Sequence, residues 1–258
     1  MILSVEDLSF SYGSRPVLQN VSFTVEKGEF LSILGPNGVG KSTLFRCILG
    51  SQDGYSGRIC IDGQEIRSLP YRERAHRMAY IPQIHRPTFG YTVLDTVLMG
   101  TTRHLSPLQQ PRQAQMDISL AALERVGVAS LAERNFAHLS GGEQQLVLIA
   151  RAIAQQSDIL VMDEPTSALD FGNQLRVLQQ VQALSREGYT VLLSTHNPQH
   201  ALTFARRVLA LQSGTVAALG PAKAVLTPEL IRQLYRVDTI LADTPGGPVI
   251  VPLAEEGK

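Results

Sequence analysis

Residues 35–42 read Gly35-Pro36-Asn37-Gly38-Val39-Gly40-Lys41-Ser42, the spacing G-x-x-x-x-G-K-[ST], set between an apolar run and a segment of helical composition. Upstream, Phe30-Leu31-Ser32-Ile33-Leu34 reads as a buried strand, and downstream Thr43 to Leu49 reads as a helix. Strand, glycine-rich turn and helix in that order make an anion cradle. A triphosphate is dense and highly charged, so several backbone N–H groups must converge on it without Cβ atoms in the way, and Gly35, Gly38 and Gly40 give the chain that freedom. Lys41 brings a positive charge to the β- and γ-phosphates, Ser42 offers a hydroxyl to Mg²⁺, and the helix N-terminus adds its own positive potential. The expected nucleotide contacts are therefore Gly35, Pro36, Asn37, Gly38, Val39, Gly40, Lys41, Ser42 and Thr43.

Working outward, Leu3 to Phe10 and Val21 to Val25 alternate apolar and polar residues, and Asp62-Gly63 suits a type I′ hairpin turn, so the first ninety residues read as strand-rich. From Thr92 the period becomes helical, with Val93, Leu94, Val97 and Leu98, then Leu120, Leu123 and Val126, and with Pro107 and Pro111 between them. This section reads as a helical insertion of about residues 84–157. After Asp158, strand Ile159 to Met162, helix Asn173 to Arg186, strand Thr190 to Ser194, a helix begun by Pro198 and strand Val208 to Gln212 alternate. Such alternation implies parallel strands joined by helical crossovers, hence an α/β fold. Gly246-Gly247-Pro248 breaks the chain, leaving a short C-terminal tail over residues 241–258 whose last residues, 255–258, are expected to fray.

The chain has 258 residues, 44% of them apolar, which supports an ordinary globular core. Its 23 Lys and Arg balance 23 Asp and Glu, so no broad basic surface for nucleic acid is expected. No apolar stretch is long enough to span a bilayer. The N-terminus lacks a basic region followed by an apolar core, and no secretory signal is expected. Only Cys47 and Cys60 occur, without a C-x-x-C spacing, and they read as buried thiols in a reduced compartment.

Two further segments carry chemistry. Ile159-Leu160-Val161-Met162-Asp163-Glu164 is an apolar strand ending in two carboxylates, the arrangement that places acids at the carboxyl edge of a parallel sheet. Asp163 is expected to hold Mg²⁺, directly or through water, and Glu164 to polarise the water that attacks the γ-phosphate. Leu139-Ser140-Gly141-Gly142-Glu143 opens the most apolar helix, and Ser140 with Glu143 fits a capping box. Capping leaves Gly141 and Gly142 unexplained, because glycine is costly in a first helical turn unless something approaches the backbone closely. A phosphate fits there.

These motifs together resemble the ATP-binding subunit of an ABC transporter, over almost the whole chain and in the family's order. The signature sequence of that family usually ends in Gln where this chain has Glu143. The resemblance implies a P-loop NTPase core of ABC type over residues 1–240, with an antiparallel β-subdomain at the front and the helical subdomain inserted. It further implies that Tyr12 lies under adenine, that Gln83 is the glutamine-loop residue beside the metal and reports nucleotide state, that Ser167-Ala168-Leu169-Asp170 is the D-loop, and that His196 contacts the γ-phosphate. Ser140, Gly141 and Gly142 of one copy then close on the ATP held by another, in a head-to-tail homodimer that uses ATP and Mg²⁺. His196 and His200 are four residues apart, but Asn197-Pro198 places His196 before the helix rather than one turn along it, which argues against a shared metal. His76, His85, His104 and His138 have no partner motif.

Within the family, Tyr91-Thr92-Val93-Leu94-Asp95-Thr96-Val97-Leu98-Met99-Gly100 and the stretches Leu226 to Glu229 and Tyr235 to Val237 resemble importers of iron–siderophores, haem, cobalamin and related metal compounds, a group that includes molybdate carriers. That resemblance implies integral-membrane permease partners, indirectly a periplasmic or lipoprotein substrate-binding protein, and a peripheral position on the cytoplasmic face of the cell membrane. Ser140 to Gln145 also resembles the signature of lipoprotein-release and macrolide-export ATPases. Soluble ABC proteins of ribosomes or DNA repair carry two motif sets or a long coiled coil, and neither is present. An ordinary P-loop kinase or GTPase leaves Leu139 to Glu143 unexplained.

Overall fold

In the computed structural model, which describes residues 1–83, 90–104 and 111–253, the opening alternation becomes a hairpin of β1 (Leu3–Tyr12) and β2 (Arg15–Val25). His85, Pro107 and the end expected to fray lie outside the described residues. β3 (Phe30–Leu34) is buried along its whole length and runs into the glycine-rich turn, from which α1 (Lys41–Ile48) departs. β4 (Ser56–Ile61) pairs antiparallel with β1, Leu3 facing Ile61, and turns into β5 (Gln64–Glu65). The turn residues Asp62 and Gly63 have φ of 48° and 77°, the positive pair that a type I′ turn demands. These strands form the antiparallel sheet β2-β1-β4-β5.

α2 (Tyr71–Arg77) precedes β6 (Met78–Ile81), and the sequence reading missed it. Tyr71-Arg72-Glu73-Arg74-Ala75-His76-Arg77 buries no residue, so it carries no apolar stripe for a periodicity argument to find. α3 (Val93–Leu98) begins at a Thr92–Asp95 capping box, and α4 (Gln113–Arg125) and α5 (Gly141–Ala154) pack with it; Val93, Val97, Leu123 and Val147 of the three helices are buried. β7 (Ile159–Asp163), wholly buried, pairs parallel with β6, Met78 beside Ile159 and Ile81 beside Met162. α6 (Phe171–Arg186) follows β7 after a seven-residue loop, residues 164–170.

β8 (Thr190–Thr195), α7 (Pro198–Phe204), β9 (Arg207–Gln212), β10 (Thr215–Pro221), α8 (Ala222–Val225), α9 (Pro228–Tyr235), β11 (Thr239–Thr244) and β12 (Gly247–Pro252) follow among the described residues. β3 lies between β8 and β9 and is parallel to both, as alternating strands and helices require, while β10 is antiparallel to β9. Leu34, Val208 and Ala210 of the strands pack with Ala201, Leu202, Leu226, Leu230 and Leu234 from α7 to α9 and their flanks. Buried Glu29 accepts a hydrogen bond from Arg207 Nη1 at 3.0 Å and joins the start of β3 to β9. The chain forms two compact units, Met1–Arg67 with the chain from Thr190 onward, and Ser68–Tyr189.

Within the expected tail, β11 and β12 pair as a hairpin, and Gly246 lies in its turn rather than at a break, with Gly247 opening β12. Pro248 and Pro252 weaken the strand signal in the sequence. Gln199 of α7 replaces a neighbouring strand there: its Nε2 donates to the Pro248 carbonyl at 3.3 Å and its Oε1 accepts from the Ile250 N–H at 2.9 Å.

Candidate functional site

In the first unit the glycine-rich turn wraps the Lys41 ammonium. Lys41 is 4% exposed, and its Nζ donates to the carbonyl oxygens of Gly35 at 2.8 Å and Pro36 at 3.0 Å. Carbonyls drawn inward to a cation, with positive φ at Gly38 (79°) and Gly40 (113°), give the backbone the alternation that turns successive N–H groups to one side. α1 starts at Gly40 with no side-chain cap and no acidic residue in its first turn, whereas Thr92, Ser140, Asp170, Asn197 and Thr227 cap α3, α5, α6, α7 and α9. A helix start without a capping side chain, beside a buried cation, fits a polyphosphate. Pro36 and Ser42 are half-buried, Asn37 and Gly38 exposed, and Val39 and Thr43 buried.

Tyr12 is the last residue of β1, not a residue after it, and is 45% exposed. Its ring packs edge-on against Phe10 at 4.8 Å between centroids, and its hydroxyl accepts from Arg46 Nη1 at 3.4 Å. His196 is exposed immediately past β8, and Asn197 caps α7 by accepting from Gln199 and His200 N–H groups. His200 is buried, which lowers its pKa, and the neighbouring His196 lowers it further.

In the second unit Asp163 ends β7 at 4% exposure, and Glu164 takes a left-handed backbone with φ of 44°. That conformation is held from one side. Ser167 donates to the Glu164 carbonyl through both N–H (3.2 Å) and Oγ (3.1 Å), and Gln83 Nε2 in turn donates to Ser167 Oγ at 3.3 Å. Gln83 and the two carboxylates are thus brought to one end of the β6–β7 pair. The hydroxyl of Ser42 and the carboxylate of Asp163 are hard oxygen donors, the chemistry that suits Mg²⁺.

The Ser140–Glu143 capping box forms as the sequence predicts. Glu143 Oε2 accepts from the Ser140 N–H at 2.9 Å and hydroxyl at 2.8 Å, and these bonds hold the Glu143 carboxyl below its usual range. Asp170 caps α6 in the same manner, accepting from Asn173 N–H at 2.9 Å. One residue past the first turn of each helix, a glutamine amide clamps the loop that leads in. Gln144 donates to the carbonyls of Phe136 (3.3 Å) and Leu139 (3.1 Å), and Gln174 to those of Thr166 (3.2 Å) and Leu169 (2.9 Å). The sequence reading placed Ser167 in the D-loop but missed its bonds to Glu164 and Gln83, and it gave no role to Gln144, Asn173 or Gln174. Glutamine four positions after a capping residue was the available signal, twice repeated.

Residues 18–167 match the family described as ABC transporter. The chain belongs to that family. This ABC chain is 35% identical over 244 residues to the iron(3+)-hydroxamate import ATP-binding protein of Bacillus subtilis, covering 94% of this chain and 91% of the relative. It is 36% identical over 237 residues to the molybdate import ATP-binding protein of Haemophilus influenzae, covering 91% and 88%. Among solved structures, a chain from the inward-facing conformation of an ABC transporter assigned to the metal-chelate type superposes with a TM-score of 0.87 at 33% identity, over 98% of each chain. The fold is therefore the P-loop NTPase fold of an ABC ATPase, and the chain binds ATP and hydrolyses it to drive transport. Among the described residues no helix is long and apolar enough to cross a membrane.

Proposed function

We propose that this ABC ATPase energises an importer for an iron chelate, haem, cobalamin or a related metal compound. The observation that carries the reading is the match to a metal-chelate type transporter over 98% of both chains. Relatives named for iron(3+)-hydroxamate and for molybdate stand at 35% and 36% identity, so likeness in this subunit follows the class of transporter more closely than the cargo.

Lys41 binds the β- and γ-phosphates, and the turn over residues 35–43 surrounds them with the N–H groups that follow Pro36. Tyr12 stacks on adenine. Ser42, Asp163 and Gln83 hold Mg²⁺, which when bound neutralises charge on the phosphate oxygens. Glu164 accepts the proton of the attacking water, and His196 hydrogen-bonds the γ-phosphate. Ser140, Gly141, Gly142 and Asp170 belong to the face that a second copy presents, so two chains close head to tail over two nucleotides. Loss of the γ-phosphate removes contacts made only in that closed pair and returns the population to the open one. Integral-membrane permease subunits, served by a periplasmic or lipoprotein binding protein, are the partners that use this motion, which places the chain peripherally on the cytoplasmic face of the cell membrane.

The test is uptake of labelled ferric and haem chelates by cells lacking this chain, complemented with the native chain or with Glu164→Gln, together with identification of the membrane proteins that copurify. Restored uptake by the native chain alone, with a ten-helix permease in the complex, is expected. Copurification with a four-helix permease bearing a large periplasmic domain, and no uptake defect, overturns the reading in favour of export.

A further inference from the structure

Gly141 and Gly142 open α5, where glycine is the least favoured residue after proline. The space around Gly142 is filled from within the chain. A Cβ built there stands 2.4 Å from Asn173 Oδ1, 2.5 Å from its Cγ and 2.9 Å from its Cβ, and one on Gly141 stands 3.1 Å from Leu169 Cδ2. Asn173 cannot simply swing away. Its backbone N–H donates to Asp170 Oδ1 at 2.9 Å and its side-chain Nδ2 to Asp170 Oδ2 at 2.7 Å, so Asp170 holds both its backbone and its amide. Rotating the amide also leaves the Asn173 Cβ in place, still closer than van der Waals contact allows.

The two loops that meet here are each fastened to their own helix, the Leu139 loop by Gln144 and the Thr166–Leu169 loop by Gln174. Gly142 against Asn173 is where the first turn of α5 touches the first turn of α6, just past the two clamped loops. We propose that Asn173 is a positioning residue that locks the tip of α5 to the Asp170 loop, so that Ser140 and Asp170 engage a nucleotide as one rigid body. The proposal rests on the reading that the Ser140–Gly142 tip meets the phosphates held by a second copy. Asn173 itself touches no nucleotide and acts through Gly142 and Asp170.

Rescue tests it, using ATP hydrolysis by the full-length chain, binding of a fluorescent ATP analogue and thermal unfolding of every variant. Gly142→Ala is expected to lower kcat about tenfold or more, because the added carbon forces Asn173 off Asp170. Asn173→Gly alone is expected to lower kcat about threefold, and the double variant to match Asn173→Gly rather than the product of the two losses. Asn173→Ala is expected to rescue Gly142→Ala only in part, since the contact at 2.9 Å survives it. Affinity for the nucleotide analogue, set by the Lys41 cradle, is expected to stay within about twofold throughout. A Gly142→Ala/Asn173→Gly chain no faster than Gly142→Ala overturns the proposal, for the glycine then answers to something arriving from outside the chain. Ser140→Ala separates the two levels: a loss there with no rescue at Gly142 sinks the coupling alone. Native rates in both Ser140→Ala and Gly142→Ala sink the underlying reading as well.

Discussion

The chemical role proposed for Glu164 falls on a backbone that few side chains tolerate, and substitutions there separate the two. Its φ of 44° puts an L-residue in the left-handed region, at a cost of about 1–2 kcal/mol that glycine does not incur. Glycine in turn loses more chain entropy on folding, about 0.5–1 kcal/mol relative to alanine. The difference leaves Glu164→Gly more stable than Glu164→Ala by about 0.5–1 kcal/mol, and for a chain of this size that is about 1–4 °C in Tm. Alanine is the right reference because both variants remove every contact of the carboxylate. The strain persists because Ser167 grips the Glu164 carbonyl twice and Gln83 holds Ser167, which over-determines the turn. Turnover is expected to fall on the order of 10²–10⁴-fold in Glu164→Gln, Glu164→Ala and Glu164→Gly alike, the scale of a lost general base. Calorimetry and a steady-state ATPase assay read both effects. Equal melting of the alanine and glycine variants would show that the backbone is not held left-handed in solution, and native turnover in Glu164→Gln would remove the residue from the chemistry.

Three further outcomes follow from the same geometry. Lys41→Ala removes the cation and both of its bonds to the Gly35 and Pro36 carbonyls, so ATP affinity by titration calorimetry is expected to drop on the order of 10²-fold or more, and tight binding by this variant would contradict the cradle. Glu143 is held below its ordinary value of 4.5 by the Ser140 hydroxyl and then the Ser140 N–H, so its folded pKa lies below its unfolded one. Its stabilisation is complete above the unfolded value and is lost as pH falls through the folded one; the Tm gap between native chain and Glu143→Gln is therefore expected to be widest near neutrality and to close on acidification, and a gap that grew instead would reverse the assignment. Burial pushes the Cys47 thiol up to about 11, so iodoacetamide at pH 8 is expected to leave it unlabelled until the protein unfolds, and rapid labelling of the native chain, seen by mass spectrometry, would show that the α1 core opens.

Motifs whose function is set by backbone chemistry were legible in the one-dimensional string. The spacing from Gly35 to Ser42, the apolar run into Asp163-Glu164, the Ser140–Glu143 box and the Asp62-Gly63 turn each specify local geometry through residues a few positions apart, and each takes its expected form. Elements without a periodic apolar face were not legible. α2 buries no residue, and the β11–β12 hairpin hides behind Pro248 and Pro252 until Gln199 of α7 supplies the pairing that a strand would have made.

By itself, then, the sequence determined the α/β class, the glycine-rich turn around Lys41 and membership of the ABC family, because glycine torsions, helix caps and strand-end carboxylates act over short stretches of chain. Only the tertiary structure decided that Gly142 lies against Asn173, that Ser167 ties Gln83 to Glu164, and that the last strands fold back on α7. Contacts between residues thirty or more positions apart depend on where packing sets each helix and loop, and no local pattern encodes that placement.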